Sequence, residues 1–110
     1  MSWQEIYHRK ICTADDAVST IQSRNRVFMT GNCSVPKELL AALVRRAPGL
    51  REVEIIQVLT IGPAEYVAPE MEGHIRVNSL FISPNVRKEV NAGRADFTPI
   101  FLSQIPRALR

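Results

Sequence analysis

Histidine, cysteine and aromatic residues are scarce in this sequence, and long apolar runs are missing altogether. Two cysteines, Cys12 and Cys33, and two histidines, His8 and His74, lie too far apart for metal-ligand spacing, so no metal is expected. Two thiols also make no disulfide framework, and both are expected to stay reduced in a cytoplasmic protein. Aromatic residues are 6% of the chain, too few for a base-stacking surface. The 14 Lys and Arg residues are scattered, with only Arg9-Lys10, Arg45-Arg46 and Arg87-Lys88 adjacent and acids close to each. A net charge of +3 permits an anionic ligand, but this pattern argues against a nucleic-acid partner. The N-terminal MSWQEIYHRK lacks the apolar centre of a signal peptide, and no run approaches the ~18 apolar residues of a membrane span. Neither a P-loop nor a dinucleotide loop is present: Gly31 stands alone where those motifs need two or three glycines, and no Gly-Lys-Ser/Thr follows.

What is present is an ordinary globular composition, 45% hydrophobic and 23% charged over 110 residues, enough for one domain at most. The stretch that organises it is Val27 to Pro36, VFMTGNCSVP, a short apolar strand that breaks at Gly31 into a tight loop opening a helix. Amides from Gly31 to Ser34 are placed there to face an anion or a developing oxyanion, because the first helical N–H groups have no internal partners.

Taken from its start, the chain begins with Trp3, Ile6 and Tyr7 at helical spacing, an arm over residues 1–12 that packs on its own domain or a partner. Thr13 and Asp16 form a capping box for a helix expected to end near Arg24-Asn25. Pro36 suits a first helical turn, Leu39, Leu40, Leu43 and Val44 make the apolar stripe, and Pro48-Gly49 stops it. Val53 to Ile61, VEIIQVLTI, is nearly continuously apolar and β-branched, as expected of a strand covered on both faces in a parallel sheet. Gly62-Pro63 ends it. Pro63 to Gly73 reads as a loop or broken helix, His74 to Ile82 as a third strand, with His74 a hydrogen-bonded structural residue at its entrance. Ser83-Pro84 opens a helix with Val86 and Val90 on one face and Gly93 at its end, and Phe97 to Leu102 is a fourth, edge strand ending in the Ser103 to Pro106 loop. Alternating strands and helices predict an α/β fold with an open, mostly parallel sheet and flanking helices. In such sheets ligands bind outside the carboxyl ends of the strands, which points to the Gly31 and Gly62 loops.

The segments GPAEYVAPEMEGH and SPNVRKEVNAGRADFTPIFLSQIP, with the strand-loop-helix from Val27 to Leu43, closely resemble the N-terminal part of the acetyl-CoA hydrolase/transferase family, which includes 4-hydroxybutyrate, acetate and succinyl CoA-transferases. The likeness runs from about residue 12 to the C-terminus. It implies a NagB/RpiA/CoA-transferase-like fold, here an incomplete domain, and acyl exchange between a CoA thioester, bound as substrate rather than as a permanent cofactor, and a short-chain carboxylate. The family's nucleophile is a glutamate in a Gly-rich E-x-G-G context, which attacks the thioester so that one difficult transfer becomes several easier ones. Nothing here matches that context, and Glu65, Glu70 and Glu72 lack the paired glycines. The chain is therefore expected to be a fragment that needs a missing C-terminal domain, with no turnover of its own; assembly as a homo-oligomer is compatible with the resemblance.

By position in the resemblance, its share of the site is the wall facing the nucleophile: Gly31, Asn32, Cys33 and Pro36 in one loop, Gly62 and Pro63 in the next, Pro84 and Asn85 at a helix start, and Ser103 and Pro106 in the last loop. Gly31 and Pro63 serve equally as turn residues, and Asn85 and Ser103 equally as caps. Cys33 departs from the small Ala or Gly expected there, and Asn25 stands where the family often has Gly-Asp. Two other readings stay open: a CoA- or anion-binding module without catalysis, and a structural fragment that depends on a partner.

Overall fold

The computed structural model describes all 110 residues and contains four strands in one parallel sheet: β1 (Arg26–Met29), β2 (Val53–Gln57), β3 (Ile75–Ser79) and β4 (Asp96–Phe97), ordered β1-β2-β3-β4. Helices α1 (Trp3–Lys10), α2 (Ala14–Val18), α3 (Lys37–Arg46), α4 (Pro84–Asn91) and α5 (Ile105–Ala108) surround it, with short 3-10 turns between. The expected α/β architecture is thus present.

Each strand joins the sheet beside its predecessor, so every crossover steps the same way. A constant hand then sends all connections over one face. On that face α3 lays Ala42 and Leu43 on Val53 and Ile55, with Val18 of α2, Met29 and Val77 completing a buried cluster. Val90 of α4 and Tyr66 from the 3-10 turn Glu65–Val67 pack on the same cluster. Burial along β2 alternates strictly, Val53, Ile55 and Gln57 buried, Glu54 and Ile56 only half-buried. The expectation that β2 is covered on both faces therefore fails: its apolar composition reflects β-branched residues on both sides, but only one side is sealed.

Several boundaries differ from the sequence expectation, each for a local reason. The Thr13–Asp16 capping box forms, with the Thr13 hydroxyl accepting from the Asp16 amide at 3.1 Å, but α2 stops at Val18 instead of near Asn25. The Ser19 and Thr20 hydroxyls donate to the carbonyls of Asp16 and Ala17, offering the backbone an alternative to further helix, and Arg24 rather than Asn25 takes the left-handed conformation at φ 67°. Pro36 is the cap of α3, one residue outside it. β2 and β3 end at Gln57 and Ser79, since β1 has stopped at Met29 and offers no further ladder. Of the strand expected over Phe97 to Leu102 only Phe97 is in β4: after the Thr98 amide donates to the Ser79 carbonyl, Pro99 has no N–H to continue, and Phe101 and Leu102 are exposed. The Ser103 to Pro106 loop is replaced by a 3-10 turn, Leu102–Gln104, running into α5 with Pro106 in its first turn.

Helix α1 is locally well specified and tertiarily unused. Ser2 and Glu5 form a capping box, His8, Arg9 and Lys10 sit at the negative end of its dipole, and no residue of it is buried. The arm is present, but it does not pack on its own domain.

Candidate functional site

Three loops leave the sheet at the carboxyl ends of β1, β2 and β3, and the structure ties them together. The first, Gly31 to Pro36, folds on itself. The Asn32 amide donates to the Leu59 carbonyl at 2.6 Å, and Ser34 and Val35 donate to Gly31 and Asn32. The Thr30 hydroxyl donates to the Ser34 carbonyl. A Cβ on Gly31 would run into the Leu59 carbonyl oxygen, so glycine is required there by close backbone approach; its φ of −113° is open to any residue. Asn32 occupies the left-handed region at φ 51°, which asparagine tolerates. The amides of Asn32, Ser34 and Val35 are therefore spent inside the chain and those of Gly31 and Cys33 are not, so of the row of donors expected from Gly31 to Ser34 half is taken. Cys33 is exposed in it.

The second loop is the more open of the two. Ile61, Gly62 and Pro63 are exposed, Gly62 has φ +103°, and the amides of Ile61, Gly62 and Ala64 donate to no acceptor in the chain. Beneath it lies a chain of buried polar side chains. Tyr66 donates its hydroxyl to Gln57 Oε1 at 3.0 Å and lies 3.2 Å from Thr60 Oγ1. Gln57 Nε2 donates to Ser79 Oγ at 3.3 Å. Thr60 Oγ1 and Ser83 Oγ lie 3.1 Å apart, and each lies within reach of Asn85 Oδ1, at 3.2 and 2.6 Å, so two hydroxyl protons serve three contacts. Asn85 Nδ2 closes the chain by donating to the Gly62 carbonyl at 3.0 Å. Gln57, Thr60, Ser79, Ser83 and Tyr66 are all at most 4% exposed. Buried polar groups without partners are costly, so the completeness of this network is what lets it sit in a core. Burial pushes the Tyr66 phenol above its ordinary value, partly offset by the Thr60 hydrogen bond, and keeps it a donor.

A cleft of about 240 Å³ opens between α3 and this second loop, lined among others by Lys37, Leu40, Ile61, Pro63 and Tyr66. Lys37, the first residue of α3, rests its Cε 3.5 Å from where a Cβ on Gly62 would lie. The chain's ion pairs are Arg24–Glu52, Arg26–Glu54, Arg45–Asp15, Arg76–Asp96 and Arg94–Glu89, and Lys37 belongs to none of them. Glu38 and Glu65 line the same cleft, so the positive element is local: the unpaired Lys37 ammonium beside the exposed amides is the part of it suited to an anion.

Of the candidates named from sequence, Gly31 and Asn32 are joined to the second loop through Leu59, and Gly62 to Asn85 directly. Pro84 opens α4, and Pro36 caps α3. No hydrogen bond links Ser103 or Pro106 to the others; the last residue of α5, Ala108, and the following Leu109 and Arg110 instead line a hollow with Arg26, Phe28 and Ile56 on the other sheet face. His74 is held structurally, Nδ1 2.7 Å from the Leu50 carbonyl. No group of three His, Cys, Asp or Glu side chains is placed to hold a metal, and no helix is long and apolar enough to cross a membrane. Lys37, Thr60 and Tyr66 were not picked out in the sequence. The signal for Lys37, a cation one residue after a helix-opening proline, was there to read; the burial of Thr60 and Tyr66 was not.

Comparison with known proteins adds an independent line. The acetyl-CoA hydrolase/transferase N-terminal domain family matches residues 1–110. The 4-hydroxybutyrate coenzyme A transferase of Clostridium kluyveri is 39% identical over 106 residues, which is 96% of this chain and 25% of that protein. A succinyl-CoA:acetate/propanoyl-CoA:succinate CoA transferase of Fasciola hepatica is 36% identical over 98 residues, 87% of this chain and 20% of that one. The chain thus spans about a quarter of the curated relatives it matches. Among solved structures, RipA from Yersinia pestis superimposes with a TM-score of 0.80 at 23% identity, over 97% of this chain and 27% of its own, a likeness of fold. A 4-hydroxybutyrate CoA-transferase of Porphyromonas gingivalis does so with a TM-score of 0.62 at 29% identity, over 69% of this chain and 20% of its own.

Proposed function

Because the chain belongs to the acetyl-CoA hydrolase/transferase family through its N-terminal domain, we propose that it serves as the first part of an acyl-CoA:carboxylate CoA-transferase of the acetate or 4-hydroxybutyrate class. Its strand-end loops form one wall of the carboxylate and acyl pocket, and the nucleophilic glutamate comes from polypeptide outside these residues. The observation that carries this reading is the linkage of the β1, β2 and β3 loops at one sheet edge, with Gly62 clamped by Asn85 and Lys37 unpaired beside it. A CoA thioester acts as substrate, no cofactor is held permanently, and the site is cytoplasmic. The chemistry asks of this wall what exposed amides and an ammonium supply: orientation of a carboxylate and stabilisation of charge on a thioester oxygen as it develops.

The test is a chimera in which residues 1–110 replace the matching quarter of the Clostridium kluyveri enzyme. Transfer of CoA from acetyl-CoA to 4-hydroxybutyrate is expected from the chimera, and none from the 110 residues alone. A folded chimera without turnover would count against the reading. Within an active chimera, Lys37→Gln is expected to raise KM for the carboxylate about three- to tenfold at low salt, and less at high salt, as a screened surface charge should.

A second reading, a fragment that functions through a partner, is favoured by the sheet face that carries Phe28, 43% exposed, and by the unburied α1. It predicts self-association of the isolated chain in sedimentation; a monomer that melts cooperatively would speak against it. A non-catalytic CoA-binding module predicts a saturable calorimetric titration with CoA.

A further inference from the structure

The buried network acts on one of the two loops beside the site. In the Gly31 loop the amides of Asn32, Ser34 and Val35 are taken by chain carbonyls, while those of Gly31 and Cys33 donate to none. The Thr60 to Ala64 segment leaves the amides of Ile61, Gly62 and Ala64 free, yet its only carbonyl with a side-chain donor, that of Gly62, is gripped by Asn85, which is itself gripped by Thr60 and Ser83. Six side chains, from Ser79 through Gln57, Tyr66, Thr60 and Ser83 to Asn85, converge on one exposed turn. A core made only for stability has cheaper ways to fill this volume, since apolar side chains need no partners. What the polar network adds is a fixed direction for the turn above it.

Resting on the transferase reading above, we infer that the turn Thr60 to Ala64 is the contact for the substrate carboxylate, through the amides of Ile61, Gly62 and Ala64, and that Thr60, Tyr66 and Asn85 are its positioning residues. Asn85 then acts through the Gly62 carbonyl, to which one of its two Nδ2 N–H groups donates, while its Oδ1 is held by the Thr60 and Ser83 hydroxyls. Lys37, whose stem lies against Gly62, supplies the matching positive charge.

The test uses Thr60→Val, which removes the hydroxyl and keeps the shape, against Thr60→Ser, which keeps the hydroxyl. In the 110-residue chain, 15N relaxation is expected to give order parameters near ~0.85 for Ile61, Gly62 and Ala64 in the wild type and the Ser variant, falling below ~0.6 in the Val variant while β2 is unchanged. In the chimera, Thr60→Val is expected to raise KM for 4-hydroxybutyrate about tenfold, the usual loss for an unmade buried hydrogen bond, and to leave KM for acetyl-CoA unchanged. A merely structural role would lower the amount of active enzyme and move neither KM. Should Thr60→Val fail to fold, Tyr66→Phe carries the same comparison. A turn as ordered in the Val variant as in the wild type, or an unchanged KM, overturns the inference. A wild-type chimera that folds but does not turn over overturns the transferase reading alone; an acetate titration of the 110-residue chain then decides the turn, saturable shifts of the Ile61, Gly62 and Ala64 amide resonances supporting it and their absence removing it.

Discussion

The two faces of the sheet are built from alternate residues of the same strands and meet opposite fates. On one, Val53, Ile55, Ile75 and Val77 lie under α3 and its neighbours, at most 6% exposed. On the other, Arg26, Glu54, Arg76 and Asp96 form a polar row, with Arg26 pairing Glu54 at 3.0 Å, Arg76 pairing Asp96 at 2.6 Å and Asn78 donating to Glu54 at 3.4 Å. Phe28 and Ile56 stand among them only partly covered. The difference teaches where the stability of this chain resides. One face gains by removing apolar surface from water, at roughly 25 cal/mol per Å². The other is held by ion pairs with exposed side chains, each worth about 0–1 kcal/mol.

Paired substitutions break this comparison most directly. Ile55→Ala is expected to cost about 3–4 kcal/mol in urea denaturation and its neighbour Ile56→Ala about 1 kcal/mol or less; equal costs would mean that the second face is covered in solution. Gly31→Ala, which forces a methyl against the Leu59 carbonyl, is expected to cost about 2–3 kcal/mol, as overpacking does. Next comes Tyr66→Phe, at about 1–2 kcal/mol, because Gln57 Oε1 loses its donor in a buried site. That variant also has a pH signature. The folded Tyr66 holds its proton more tightly than the ordinary value of 10.0 implies, so its contribution is complete below about pH 10 and is lost as pH rises through the folded value. Tyr66→Phe should remove that alkaline decline, and an identical decline in both proteins would refute the assignment.

The smallest effect is expected on the open face. The Arg76 guanidinium hydrogen-bonds Asp96 and holds its carboxyl below the ordinary 3.8, so the pair stabilises above that value and the gain disappears as pH falls through the folded one. With side chains 51% and 47% exposed, the pair is discounted for solvent screening to below about 1 kcal/mol. Arg76→Gln should flatten the acid limb of the stability profile by that much, and a larger loss would show this face to be better shielded than its exposure implies.

Much of the covered face was legible in the sequence. β-branched runs marked three strands, the Leu39 to Val44 stripe marked α3, and Ser83, Pro84 and Gly93 bracketed α4, because each signal is local. Strand ends were not legible: β2 reads as apolar through Ile61, but a strand lasts only while a neighbour offers partners, and Met29 is where β1 stops. The polar network escaped for a related reason. Gln57, Thr60, Ser79 and Ser83 look like surface residues until the one-sided crossovers bury their side of the sheet. The Gly31 loop reads correctly as a junction of strand and helix, but the pairing of its Asn32 amide was not legible, because the acceptor, the Leu59 carbonyl, lies 27 positions further on. The Ser2–Glu5 capping box was readable from spacing alone and was passed over.

Strand order that repeats sequence order also bears on how the molecule is made. As the chain leaves the ribosome, each new strand finds its only required neighbour already formed: β2 docks on β1, β3 on β2, β4 on β3. No strand waits for one made later. At about 5–20 residues per second, the roughly 27 residues from the start of β1 to the start of β2 take only about 1–5 seconds, which bounds the time a bare β1 edge stands unpaired. A doubly wound sheet that starts from its middle strand must keep one side of that strand open until the second half is synthesised. Within residues 1–110 the sheet grows from β1 outward, so the pairing of these four strands can keep pace with translation.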